Sequence, residues 1–364
     1  MSTRPVMSDS PIDKKMPTGP SGQHSRGRSI LPASLWQGLV IICCAVLAYE
    51  LFTSGYDRLI ACTTLVNIVL ALSLGLATQT NRISLAQAAL AGVGAYTSAY
   101  LALQHGVNPW LAIVAGAIVA VIIGLGLGLL ALRLRGFYFA IATLAFSEIF
   151  AVVVSGWTNV TGGLGGLTGL PPLTTLPLGF TTLNYSFDIE LTAYYWTLLA
   201  LVVVALIIAY LFTGSSRIGR RVRAVGDDEV LAASVGVAST LWRTTAFATG
   251  ALLAGLAGGF NASLLGGTAP SSYDTFTSVS ILAMVFIGGR RSVSGAVVGA
   301  VILTVVPEAL KFSADLQLLF FGAFFLISAF VFPNGIVPTL GDLVRRAQYR
   351  RDVTPTPDAA GKTI

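Results

Sequence analysis

Ten apolar runs separated by polar connections, two of them long, constrain this chain more than any other feature. They fall at 35–52, 59–78, 83–103, 109–132, 137–154, 193–213, 243–265, 276–289, 292–312 and 315–332. Nine of them are 18 to 24 residues long, close to the ~20 that a helix needs to cross a hydrocarbon core of ~30 Å. Hydrocarbon offers a peptide group no hydrogen-bond partner, so runs of this length are predicted to be α-helices. The run 276–289 has only 14 residues, a rise of about 21 Å. It fits either a crossing or a segment that enters and leaves on one side.

Charge placement separates those two cases, because Lys and Arg are retained on the cytoplasmic side. With ten crossings and the N-terminus inside, 20 of the 22 Lys and Arg residues fall inside and only Arg58 and Lys311 outside. If 276–289 turned back, Arg290, Arg291 and the basic C-terminus would lie outside. The expected fold is therefore an all-α polytopic membrane protein of about ten transmembrane helices with both termini cytoplasmic. A Pro- and Ser-rich tail over 1–34 is expected to be disordered. The transmembrane domain spans 35–332, and a cytoplasmic tail covers 333–364. No short apolar region with a small-residue cleavage site follows the first tail, so the first run reads as an uncleaved anchor. Loop 155–192 is placed outside and loop 214–242 inside.

The chain is 54% hydrophobic and 10% charged, against about 25% charged in soluble proteins, which excludes a soluble enzyme. A net charge of +6 does not point to nucleic acid, because the basic residues sit between apolar runs rather than on one face. Cys43, Cys44 and Cys62 lie inside apolar runs without C-x-x-C spacing and read as small hydrophobes. With only His24 and His105, and no H-E-x-x-H, no metal site is expected. Every Asp except Asp315, the first residue of the last run, falls in a loop or tail, so the pair of aspartates that an intramembrane aspartyl protease needs is missing. Gly361-Lys362-Thr363 ends like a phosphate-binding loop, but Thr356 stands where its first glycine is required. Gly162-Gly163-Leu164-Gly165-Gly166 lacks the strand-to-helix setting of a nucleotide loop. No cofactor is expected on this chain.

Three glutamates lie within the runs: Glu50, Glu148 and Glu308. Glu50 can reach the outer interface, and Glu308, after Pro307, can snorkel or line an outer vestibule. Glu148 lies about 12 residues into its run. A carboxylate there should face the bundle interior or a water-filled path, either as a helix-to-helix hydrogen bond or as part of a transport route. Asn67, Gln79, Ser84, Gln87 and Asn261 add a lightly polar lining, without the ordered carboxylates of proton-coupled pumps. Glu148, Gln87, Asn67 and Glu308 are the candidate residues of the translocation path or bundle core. Gly124/Gly128, Gly255/Gly259 and Gly295/Gly299 are small-xxx-small pairs that let helix backbones approach, within one bundle or at a dimer seam.

Loop 214–242 opens with a basic stretch, after which Asp227 stands where an N-cap belongs, with Asp228 and Glu229 in the first turn. Val230, Leu231, Ser234 and Val235 fall on one face, and Gly236 can close the helix in a left-handed conformation. A two-turn helix is not stable alone and needs a groove. An acidic first turn is unfavourable beside anionic lipid, so a protein groove is preferred over the membrane surface.

Several segments resemble one family. Ile-Ser-Leu-Ala-Gln-Ala-Ala-Leu-Ala-Gly-Val-Gly-Ala-Tyr (83–96) and Arg-Leu-Arg-Gly-Phe-Tyr-Phe-Ala-Ile-Ala-Thr-Leu-Ala-Phe-Ser-Glu-Ile (133–149) are similar to signatures of bacterial branched-chain amino acid ABC transporter permeases of the LivM type. So are the outside stretch Thr-Gly-Gly-Leu-Gly-Gly-Leu-Thr-Gly-Leu-Pro (161–171) and Ala-Val-Gly-Asp-Asp-Glu-Val-Leu-Ala-Ala-Ser-Val-Gly-Val (224–237), the latter matching the family's cytoplasmic coupling helix. The resemblance covers about residues 60–340. Ala86 and Thr78 replace glycines of the pattern, and Arg290-Arg291 puts two charges in a turn that usually carries one at most.

The resemblance implies a type II-like importer permease bundle in the bacterial plasma membrane. It implies a sister permease subunit, two cytoplasmic ATPase subunits that use the ATP, and an extracytoplasmic binding protein. The cargo implied is a branched-chain amino acid or a related small amino acid or amide. ATPase coupling would fall on Asp227, Asp228, Glu229, Val230, Leu231, Ser234, Val235 and Gly236. A self-sufficient secondary transporter or channel is the alternative, and it would need intramembrane ion-coupling charges that are scarce here.

Overall fold

The structure is a computed structural model. It describes residues 55–131, 134, 136–173, 187–214, 216–309, 322–323, 335–337 and 339. The tail 1–34, the run 35–52, and most of the run 315–332 and of the tail 333–364 lie outside the described residues.

The eight apolar runs within the described residues each form one helix: α1 (Gly55–Gln79), α2 (Gln87–His105), α3 (Pro109–Ala131), α4 (Phe137–Gly156), α5 (Phe187–Thr213), α8 (Ser239–Leu264), α9 (Thr275–Gly288) and α10 (Val293–Ala309). Two further helices, α6 (Arg217–Asp227) and α7 (Glu229–Ser234), occupy loop 214–242. Five segments are long and apolar enough to cross a membrane: α1, Pro109–Leu129 of α3, α4, Leu191–Thr213 of α5, and α8. The chain is thus a helical, multi-pass membrane protein.

Helix α2 is not among those five, and its surroundings explain why. Gln87 through Tyr96 are all buried, because α1, α3 and α8 pack around it. A helix enclosed by other helices meets no lipid and needs no continuous apolar surface. Instead it needs close approach. A Cβ on Gly94 would stand 2.2 Å from the carbonyl oxygen of Gly255, one on Gly116 2.4 Å from that of Gly94, and one on Gly258 1.9 Å from that of Ala91. The pair α9–α10 is built the same way, with a Cβ on Gly288 falling 1.8 Å from the Gly295 oxygen. Gly255, Gly295 and Gly299 therefore serve packing within this bundle rather than a seam between copies.

The run 83–103 is corrected at its start, since the helix begins only at Gln87. Asn81 takes a left-handed φ of 57°, and the Ser84 hydroxyl accepts the Ala86 N–H at 3.2 Å. The chain therefore turns and runs non-helically through Ile83–Ala86. Buried non-helical backbone must find partners, and α4 supplies them. Thr143 Oγ1 accepts the Leu85 N–H at 3.0 Å, and the Ser147 hydroxyl donates to the Leu85 carbonyl at 2.8 Å.

Of the described arginines all but Arg58 gather at one end of the bundle, where the turn 79–82, loop 214–238 and the turn 289–292 meet. At the opposite end β1 (Leu167–Thr168) pairs antiparallel with β2 (Gly267–Thr268), Leu167 opposite Thr268. The Gly162–Gly166 stretch is part of this small lid. Gly162 and Gly166 have φ of 74° and 68°, and a Cβ on Gly166 would meet the Thr268 carbonyl at 2.0 Å.

Close approach at Gly258 gives a direct test. Gly258→Leu sets a side chain against backbone that cannot rotate away, and overpacking of this kind is destabilising. It should abolish the monodisperse peak in thermal-step size-exclusion chromatography. Gly126→Leu, where nothing stands within 4 Å, should leave that peak intact.

Candidate functional site

The basic end is assembled around α6. Its N-cap, Ser216, accepts the Gly219 N–H at 2.9 Å, and its apolar face of Gly219, Val222, Val225 and Gly226 is buried. Gly226 lies so close to the turn after α1 that a Cβ there would stand 2.1 Å from the Gln79 carbonyl. Arg223 donates to the Thr213 and Gly214 carbonyls, which satisfies part of the C-terminal end of α5.

Asp227 does not cap the next helix as the sequence reading placed it. It closes α6, and its carboxylate accepts Arg291 Nη1 at 2.6 Å while Arg291 Nη2 donates to the Gly226 carbonyl at 3.0 Å. The cap falls one residue later. Asp228 Oδ1 accepts the Val230 and Leu231 N–H groups at 2.8 and 3.0 Å. Gly236 closes the far side with φ 81°, as expected.

Helix α7 turns Ala232 inward and shows Val230, Leu231 and Val235 at 72%, 65% and 72% exposure. Ser234 is exposed with them. The helix is tied to α8 nevertheless. Glu229 forms a salt bridge with Arg243, whose side chain is 8% exposed on α8, and the Ser239 hydroxyl donates to the Glu229 carbonyl at 3.3 Å.

The departures at Thr78 and Arg290-Arg291 account for one another. The Thr78 hydroxyl donates to the Arg290 carbonyl at 2.8 Å, Arg290 donates to the Asn81 side chain, and Arg291 takes Asp227. Burial, and then the neighbouring Arg291 charge, lower the Arg290 pKa from its ordinary value. The double-arginine turn is thereby latched to α1 on one side and to α6 on the other.

The four interior candidates occupy three places. Gln87 is buried beside Gly250, and neither its Nε2 nor its Oε1 has a hydrogen-bond partner among the described residues. Asn67 donates to Thr304 at 3.0 Å and Tyr56 donates to Glu308 at 2.9 Å, so Asn67 and Glu308 both tie α1 to α10. Glu148 accepts a hydrogen bond from Thr275 at the start of α9 and is exposed on the chain's own surface. The helix-to-helix hydrogen bond is thus present, at the rim rather than in the core. Thr143 and Ser147 were missed as functional side chains. Their spacing of four residues was visible, but the backbone break they serve was not. The aromatic cluster of buried Tyr96 and Tyr273 with half-buried Phe150, ring centroids 6.4 Å apart from Tyr96 to each, was missed as well.

The family model described as branched-chain amino acid transport system / permease component matches residues 59–329. The chain is 30% identical over 295 residues to the high-affinity branched-chain amino acid transport system permease protein LivM of Salmonella typhimurium, covering 77% of this chain and 69% of that one. It is 29% identical to LivM of Escherichia coli over 85% of this chain and 78% of that one. It is also 29% identical to the probable branched-chain amino acid transport permease protein LivH of Methanocaldococcus jannaschii, over 68% and 78%. No solved structure matches at comparable significance. An eight-helix described bundle, a capped helix presented at its basic end, and a family match over most of that bundle lead to one assignment: the chain belongs to the permease-component family of branched-chain amino acid transport systems.

Proposed function

We propose that this chain is the membrane-spanning subunit of an ATP-driven ABC importer, carrying branched-chain amino acids or related small amino acids and amides. It works with a sister permease, two cytoplasmic ATPase subunits and an extracytoplasmic binding protein. ATP is bound and hydrolysed on the ATPase subunits. The chain crosses a bacterial plasma membrane ten times with both termini inside. The observation that carries this reading is α7: a short helix, capped and pinned, that presents three large apolar side chains outside the bundle.

The coupling follows from its ties. A groove on an ATPase subunit buries Val230, Leu231 and Val235, as in other helix-in-groove contacts. Movement of that groove passes to α8 through Glu229–Arg243, and to the α9–α10 turn through Asp227–Arg291. These ties reach different helices, so tilting α7 shifts α8 and α10 against α1 and α2, around buried Gln87. A buried amide with no partner costs about 1–3 kcal/mol and is accounted for if water or a passing substrate meets it in one stage of the cycle.

Three measurements test the reading. In a cysteine-free background, Leu164→Cys and Ser234→Cys, both exposed, should react with an impermeant thiol reagent from opposite faces of sealed cells; reaction of both from one face rejects the topology. Leu231→Asp puts an unpaired charge into the docking contact and should release the ATPase subunits on co-purification without lowering the permease's thermal stability. Retained ATPase with normal uptake would place coupling elsewhere. Gln87→Leu removes an unsatisfied polar group, so stability should hold or rise while labelled leucine uptake by the assembled transporter falls. Unchanged uptake would take Gln87 off the path.

A further inference from the structure

Between Gly214 and Asp227 the chain carries Arg217, Arg220, Arg221 and Arg223 and no acid. Arg223 is committed to the carbonyls at the end of α5. The other three, with Ala224 and Val237, line a cavity of about 470 Å³. The Arg221 guanidinium lies over the Trp242 ring, 5.3 Å from its centroid.

The depth of this cavity is set by what surrounds it. Trp242 is in the first turn of α8, and Arg223 reaches the last residues of α5. The cavity therefore sits where two membrane-crossing helices emerge, the level at which Trp side chains concentrate in membrane proteins. From that level an exposed apolar stripe of Leu211, Ile207 and Val204 runs along α5, with exposed Leu241 on α8 beside Trp242. Three guanidinium groups just beyond the end of a helix whose exposed face carries Leu211, Ile207 and Val204 match an amphiphile with an anionic head. Free phosphate would use the arginines but not the stripe. An acidic protein groove would use the arginines without drawing them to headgroup depth.

We propose that Arg217, Arg220 and Arg221 hold the headgroup of an anionic phospholipid whose acyl chain lies along the Val204–Ile207–Leu211 stripe. Basic pockets at helix ends bind such headgroups, each Lys or Arg near the surface adding to the attraction. The site requires only that α5 and α8 cross the bilayer, and it does not depend on ATPase docking. Because α6 leads directly into the Asp228 cap of α7, a bound lipid also holds the coupling segment at a fixed height against the membrane.

The test is native mass spectrometry of the full-length protein in detergent, after incubation with dioleoylphosphatidylglycerol or dioleoylphosphatidylcholine. Phosphatidylglycerol should be retained and phosphatidylcholine should not, and millimolar inorganic phosphate should fail to displace it. Each Arg→Gln change should weaken retention about fivefold, and the triple change Arg217→Gln, Arg220→Gln, Arg221→Gln about a hundredfold. ATPase co-purification should be unaffected by the triple change. If the triple variant does not fold, Arg217→Gln alone, at the exposed first residue of α6, gives the fivefold reading. Equal retention of both lipids, displacement by phosphate, or undiminished retention in the variants overturns the proposal. Loss of the ATPase in the triple variant, with no lipid selectivity in the wild type, assigns the arginines to a protein contact instead.

Discussion

Backbone-to-backbone contact around α2 is the constraint on which the other features rest. In lipid the hydrophobic effect does not drive one helix against another, so close packing and internal hydrogen bonds must. Gly94, Gly116, Gly255 and Gly258 remove the side chains that would hold α2, α3 and α8 apart. Once α2 is enclosed, it can carry Gln87 and Ser98 buried, and it can begin with a non-helical stretch. That stretch tolerates burial because Thr143 and Ser147 of α4 take its peptide groups. The glycines thus come first, and the broken entry to α2 depends on them.

The basic end follows a different rule. Its charges are held by specific partners: Arg243 by Glu229, Arg291 by Asp227, Arg290 by Asn81, Arg223 by helix-end carbonyls. A partly buried ion pair such as Glu229–Arg243 contributes little net stability, and a solvent-exposed one such as Asp227–Arg291 less still. Such pairs set register more than they add stability, fixing where loop 214–238 sits against α8 and the α9–α10 turn. The pair Glu229–Arg243 is more buried than Asp227–Arg291, and it joins the presented helix α7 to the helix that packs most intimately against α2.

At the other end, order comes from backbone conformation. Positive φ at Gly162 and Gly166 folds the glycine-rich stretch into a turn that meets the short strand after α8. Tyr194 of α5 reinforces it, accepting the Leu173 N–H at 3.1 Å and donating to the Ser263 carbonyl at 3.1 Å. The lid is therefore anchored to α5 and α8, the two helices that flank loop 214–238 at the opposite end.

The sequence by itself determined that the chain is a bundle of apolar helices, where each described helix lies to within a few residues, and that a capped helix with an apolar face follows the basic stretch. These are local properties: run length against bilayer thickness, and cap chemistry within one turn. Charge asymmetry along the chain pointed to one basic end, and the described arginines other than Arg58 gather there. Tertiary structure alone decided what depended on distant neighbours. Asp227 and Asp228 are equivalent caps until Arg291, 64 residues away, claims the first and leaves the second to α7. The run at 83 reads as helix until the hydroxyls of α4 offer its backbone another partner. Glu148 looks interior by depth along its helix, yet α4 packs on one narrow stripe and leaves that carboxylate on the rim with Thr275. Depth within a helix is written in the sequence, whereas the direction a residue faces is set by the helices that pack against it.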